Sequence, residues 1–208
     1  MSELLSLDDY RGVAAELQIP DSAYIDGGYH RCGGDSLVTT NPADGAVLAT
    51  IQMADEADVD MAVQKAREAF DSGAWSRLHP AERKAVLIRL AKLVKRNRHQ
   101  LAVLEAMDSG KPVSDCASID IPEVINTIIW HAEAIDKIYD DAAPVGSDAL
   151  ALVVREPIGV VAAVLPWNFP LLMLAWKLGP ALAAGNCLIA KPAEQTPLSA
   201  LYLARLAG

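Results

Sequence analysis

Residues 160–170 read Val160-Val161-Ala162-Ala163-Val164-Leu165-Pro166-Trp167-Asn168-Phe169-Pro170. The run before Pro166 is apolar and rich in β-branched valine, the composition of a short buried strand stopped by proline. From 169 to 184 the apolar residues return at helical spacing, with Pro170 in the first turn, where a helix tolerates proline. Cys187-Leu188-Ile189-Ala190 then supplies a second short apolar run. Strand, helix and strand in succession make a βαβ unit, with parallel strands and a right-handed crossover. Asn168 therefore stands at the carboxyl end of a strand, where open α/β sheets bind their ligands. Its uncharged amide donates N–H bonds and suits an oxyanion that appears only during reaction. The same position also suits a helix cap, and spacing alone leaves both readings open.

The second run continues into Lys191-Pro192-Ala193-Glu194-Gln195-Thr196-Pro197. Nucleotide-binding sheets often carry an acidic residue past the second strand that accepts bonds from ribose hydroxyls. Glu194 and Lys191 stand there, although spacing alone reads them as ordinary loop charges. No G-x-G-x-x-G follows the first strand. Lys177 is conspicuous within an apolar helix, where snorkelling to the surface is the plain explanation.

Upstream, residues 1–20 read as a short helical arm. Residues 24–30 read as a hairpin turned by Asp26-Gly27. Asn41-Pro42 and Asp44-Gly45 are turn signals before a strand at 47–52. Residues 55–71 carry a helical stripe of Val59, Ala62, Val63, Ala66 and Phe70. Pro80 opens a long helix whose inner face is Val86, Leu87, Leu90, Leu93 and Val94. A further helix runs to Met107 and ends at Gly110-Lys111-Pro112. Residues 122–139 give another amphipathic helix, with Val124, Ile125, Ile128 and Ile135 inward; 150–154 is a strand, and 198–207 a last helix.

The 208 residues hold 18 basic and 27 acidic side chains, a net charge of −9 that argues against nucleic acid as a partner. The basic run at 92–98 reads as the wet face of a helix. Cys32, Cys116 and Cys187 form no paired framework, so a reducing compartment is expected. The four histidines show no metal-ligand spacing. Residues 1–17 lack the order of a signal peptide, and Pro166, Pro170, Lys177, Pro180 and Gly185 break the longest apolar region. A cytoplasmic protein with no membrane partner is expected.

Together the blocks 41–45, 108–112, 156–160, 166–170, 176–186 and 191–197 closely resemble the aldehyde dehydrogenase superfamily, and the resemblance runs from about residue 24 to the end. Residues 119–122 and 132–137 look like the branch that oxidises γ-glutamyl-γ-aminobutyraldehyde and related aminoaldehydes. The resemblance implies an α/β fold, the amino-terminal part of the family's architecture. It would hold an incomplete Rossmann-like parallel sheet with helices plus a protruding β-hairpin. By that reading 1–143 is the helical and strand part of the NAD-binding domain, 144–157 the oligomerisation-type hairpin strand and 158–208 the first βαβ portion. The family oxidises an aldehyde to a carboxylic acid with NAD, through a thiohemiacetal whose oxygen carries negative charge.

The resemblance gives Asn168 the role of donor to that oxygen. Leu165, Pro166, Trp167, Lys191 and Glu194 fall to the cofactor; a carboxylate at 194 repels a 2′-phosphate, so NAD is expected over NADP. Phe169, Met173 and Trp176 fall to the aldehyde tunnel, with core packing as their plain reading, and Thr39 and Asp108 to a monovalent cation. The family's nucleophilic cysteine and general-base glutamate match nothing within residues 1–208, so this stretch alone is expected to be inactive, whereas an intact relative is a homo-oligomer acting on a small aldehyde. The alternative is a non-catalytic nucleotide-binding or assembly module.

Overall fold

In the computed structural model the described residues are 4–208. Helix α1 (Leu7–Glu16) begins with a capping box in which Ser6 accepts from the Asp9 amide and Asp9 reaches back to the amide of Ser6. Strands β1 (Ala23–Ile25) and β2 (Gly28–His30) form the expected hairpin. Asp26 and Gly27 take φ of 52° and 78°, the paired positive angles that match a two-residue turn to strand twist. Strands β3 (Ser36–Thr40) and β4 (Val47–Gln52) pair antiparallel with a bulge between Thr39 and Thr40.

Helix α2 (Glu56–Ser72) opens on Asp55, whose carboxylate accepts from the Asp58 amide, and ends at Gly73, which takes a left-handed φ of 77°. Asp58 in turn accepts from the amides of Asp55 and Gly33 and pairs with His30 Nε2 at 3.1 Å. Those bonds draw its carboxyl down to about 2. Asp55→Ala is expected to lower stability by about 1 kcal/mol, read as a lower urea midpoint with an unchanged slope.

Helix α3 (Pro80–Arg96) runs into α4 (Arg98–Ser109), which Gly110 closes with a φ of 76°. One turn, α5 (Val113–Asp115), and a π-helical turn at Cys116–Asp120 lead into α6 (Ile121–Ala134). Strands β5 (Asp141–Ala143) and β6 (Ala151–Val153) form an exposed antiparallel hairpin. Then come β7 (Val160–Val164), α7 (Pro170–Ala183), β8 (Cys187–Lys191) and α8 (Leu198–Ala207), with β7 and β8 parallel and in register from Val160↔Cys187 to Val164↔Lys191. The buried Asn186 fastens the unit. Its Oδ1 accepts from Gly159 N–H at 2.9 Å, and its Nδ2 donates to the Ala181 carbonyl at 3.2 Å.

The core lies where α3, α6 and α7 pack side by side, with α4 and α8 against them. Leu87, Val94, Leu104, Val124, Ile128, Leu171 and Leu203 are among its fully enclosed side chains. Three expectations differ from the outcome. The helix expected to reach residue 139 ends at Ala134, because Ile138 and Tyr139 keep the apolar pattern but find no surface to pack on. The stripe on α2 is half covered: Ala62, Ala66 and Phe70 are partly buried, whereas Val59 and Val63 face solvent. Strand β7, expected to be buried, leaves Val164 74 % exposed, since its sheet partner among the described residues is β8 alone. No helix of the described residues is long and apolar enough to cross a membrane.

Candidate functional site

The carboxyl ends of β7 and β8 lie side by side. Leu165 N–H donates to the Lys191 carbonyl at 3.0 Å, and the Thr196 hydroxyl donates to the Trp167 carbonyl at 3.0 Å. These bonds bring Leu165, Pro166, Trp167 and Asn168 to the same edge as Lys191 and Glu194, a juxtaposition that local spacing could not give. Leu165 is buried as the floor; Pro166, Trp167 and Asn168 are exposed above it. The Lys191 ammonium and the Glu194 carboxylate pair with each other, both about half exposed. The hydrogen bond from Lys191 holds the Glu194 carboxyl below its usual range, helped by a backbone bond and the Lys191 charge. A carboxylate has lone pairs for several donors, so this pairing leaves acceptors for a ligand.

Asn168 is not used as a helix cap. The cap position of α7 is Phe169, no side chain caps it from there, and the Asn168 amide makes no hydrogen bond among the described residues. The amide that Asn168 would have capped is satisfied from the interior. Leu171 N–H donates to Glu105 Oε1 at 3.2 Å, and the Ser199 hydroxyl donates to the same oxygen. One turn along α4, Asp108 Oδ2 accepts from Leu198 N–H at 2.9 Å. Burial pushes the Glu105 carboxyl up to about 7 against those bonds from Ser199 and Leu171. Burial likewise pushes Asp108 up to about 7 against its bond from Leu198. Glu105 Oε2 and Asp108 Oδ1 are buried without a partner.

Glu105 was missed by the sequence reading. Its signal was a carboxylate on the inner face of an apolar helix, between the buried Leu101 and Leu104 and the buried Asp108. Lys111 was also missed. It pairs with Asp120 at 2.5 Å and sets its ammonium 3.7 Å from the centre of the Phe169 ring. Thr39 and Asp108 have separate duties: the Thr39 hydroxyl donates to the Ala49 carbonyl at 3.4 Å, and Asp108 receives Leu198. No cluster of three or more His, Cys, Asp or Glu fit for a metal occurs among the described residues.

Of the three residues expected to line the tunnel, Met173 packs half-buried against the core and Phe169 lies under Lys111. Trp176 is exposed in a groove of about 440 Å³ between α6 and α7, lined also by Glu123, Asn126, Thr127, Trp130, His131 and Lys177. Lys177 reaches the surface, as snorkelling predicts. None of the cysteines has the setting of a nucleophile. Burial pushes the Cys116 thiol up to about 12 and also raises Cys32 and Cys187, so the reactive thiolate is disfavoured in each.

Residues 30–208 match the model of the aldehyde dehydrogenase family. The chain belongs to that family. It is 58% identical over 209 residues to the aminoacetaldehyde dehydrogenase of Pseudomonas aeruginosa, covering 100% of this chain and 42% of that relative. The structure of γ-glutamyl-γ-aminobutyraldehyde dehydrogenase from Burkholderia cenocepacia J2315 superposes with a TM-score of 0.95 at 48% identity, over 98% of this chain and 41% of that one. An indole-3-acetaldehyde dehydrogenase complexed with NAD+ gives a TM-score of 0.96 at 49% identity, over 98% and 41%. The chain thus spans about two fifths of the length of these aldehyde dehydrogenases. The fold class, the family and the aminoaldehyde character of its relatives, all expected from the sequence, agree with these findings.

Proposed function

We propose that this chain provides the oxyanion donor and the ribose-binding edge of an NAD-dependent aldehyde dehydrogenase that oxidises an aminoaldehyde to the acid. The uncapped amide of Asn168, beside Lys191 and Glu194 at the ends of two parallel strands, is the observation that carries the reading. Donors fixed before reaction cost no reorganisation when negative charge develops, so an amide already free of other bonds is suited to the task. The exposed Trp167 and the Lys191–Glu194 pair fit a dinucleotide laid across the strand ends. NAD would supply the hydride acceptor. Glu194 would accept from ribose hydroxyls and repel a 2′-phosphate, and Lys191 would steady it.

The groove between α6 and α7 supports an amino group on the substrate. It offers two indole faces, Trp130 and Trp176, with the Glu123 carboxylate, and such faces attract cations. A monovalent cation at Thr39 and Asp108 belongs to the same reading, supported by the unpartnered Asp108 Oδ1. Assembly into a homo-oligomer is supported by the exposed Leu152, Val153 and Val154 on the hairpin, and a cytoplasmic location by three free cysteines.

Titration of the 208-residue chain with NAD and NADP, followed by calorimetry, tests the cofactor edge. NAD should bind more tightly than NADP. Glu194→Ala should weaken NAD by about tenfold or more, the size of a lost bond to a charged group, and narrow the gap to NADP. Equal affinities for the two dinucleotides, untouched by Glu194→Ala, would sink the assignment.

A further inference from the structure

Helices α1 and α2 are capped locally, and in both the cap accepts from the amide three residues on: Ser6 from Asp9, Asp55 from Asp58. The same spacing from Asn168 leads to Leu171, and asparagine is among the preferred caps. Yet the Leu171 amide is taken by Glu105, a fully buried carboxylate 66 residues away in sequence. Enclosing a carboxylate is costly unless it is well hydrogen-bonded, and Glu105 Oε2 has no partner. The Leu171 amide thus has a costly interior acceptor although Asn168, one residue before the cap position Phe169, is near enough in sequence to serve.

The same Glu105 oxygen accepts from Ser199 in the first turn of α8, which follows the loop of Lys191 and Glu194. That loop is tied to the Asn168 loop through Thr196 and the Trp167 carbonyl. We propose that Glu105 is a positioning residue: by capping α7 from inside the fold it spares Asn168 Oδ1 that bond, so the side chain and its Nδ2–H donors are not turned toward the helix end, and through Ser199 it holds the cofactor loop in register with that amide. The proposal rests on Asn168 being the oxyanion donor for its purpose, but the capping rivalry between Glu105 and Asn168 is measurable without substrate or cofactor.

The experiment is amide hydrogen exchange by NMR on the ¹⁵N-labelled 208-residue chain, without nucleotide, for wild type, Glu105→Ala, Asn168→Ala and the double variant. Asn168→Ala should leave Leu171 protection unchanged, because Asn168 is not its partner. Glu105→Ala should leave Leu171 largely protected, with the Asn168 side-chain amide signals shifted as Asn168 moves into the cap. The double variant should lose about tenfold of Leu171 protection relative to either single variant. Glu105→Gln, which keeps an acceptor, should leave the Asn168 signals at their wild-type positions. Protection at Leu104 serves as the control for global opening.

A loss of Leu171 protection in Asn168→Ala alone would overturn the proposal, and that variant is informative even if Glu105→Ala does not fold. So would unshifted Asn168 signals in a folded Glu105→Ala. A chain that shows the expected cycle yet binds no NAD would keep the positioning role and lose the proposed function.

Discussion

Asn168→Ala, made in a chimera that completes this chain with the remaining part of an aldehyde dehydrogenase relative, is expected to lower kcat by about 10²–10³, the cost of removing one oxyanion donor. KM for NAD should change little, because the proposed ribose contacts are Lys191 and Glu194, which pair with each other and not with Asn168. The melting temperature should stay within a degree or two of the parent, and this is the sharper half of the prediction. A capping asparagine replaced by alanine would cost about 1 kcal/mol, but here the Leu171 amide belongs to Glu105. Kinetics and calorimetry on one variant therefore separate the donor from the cap. A kcat within threefold of the parent would refute the donor role, and a fall in melting temperature with intact kcat would return Asn168 to capping.

Stability of the 208-residue chain should fall as pH rises from about 4.5 to 7, through Glu105. Its carboxyl is raised from an ordinary 4.5 to about 7, so in that window the folded chain binds more protons than the unfolded one. The protonated acid suits the buried site. Its contribution is therefore fully present below the unfolded value and is lost as pH climbs through the folded one. The full size is about 3 kcal/mol at 1.36 kcal/mol per pH unit.

The groups acting on Glu105 are Ser199 and Leu171 through hydrogen bonds, and Lys111 and Asp120 through charge, with the Cys116 thiol also coupled to it. Lys111 and Asp120 pair with each other, so they largely offset one another. Asp58 works in the opposite sense at lower pH: held at about 2, it adds stability above its ordinary 3.8 that is lost as pH falls toward 2. Asp108, likewise raised by burial from 3.8 to about 7, adds a slope of the same sign, so urea midpoints at pH 5, 6, 7 and 8 read the sum of the two. Glu105→Gln should make the slope shallower and leave the Asp108 part, and an identical slope in that variant would assign the whole effect elsewhere.

Much of the architecture was legible because it is written in local geometry. Asp26-Gly27 turns its hairpin, Gly73 and Gly110 end their helices with positive φ, and the β7–α7–β8 unit follows its change of period. The end of α6 was not legible: the apolar pattern continues to Tyr139, and only the absence of a packing surface stops the helix at Ala134. The site was legible as a set of residues near strand ends. Which of them retained free hydrogen-bonding groups was not.

By itself the sequence determined most of the helices and the β7–α7–β8 unit, the family by resemblance, and the placement of Asn168, Lys191 and Glu194 just past two strands, but not the short strands β3 and β5. The elements and that placement depend on φ/ψ preference and periodicity within a few neighbouring residues, whereas the family rests on the resemblance of six blocks. The tertiary structure decided that Asn168 is uncapped, that Glu105 joins α7 to α8 and that Lys111 covers Phe169. A backbone N–H donates to whichever acceptor folding brings within about 3 Å, and for Leu171 that acceptor lies on a helix far away in sequence.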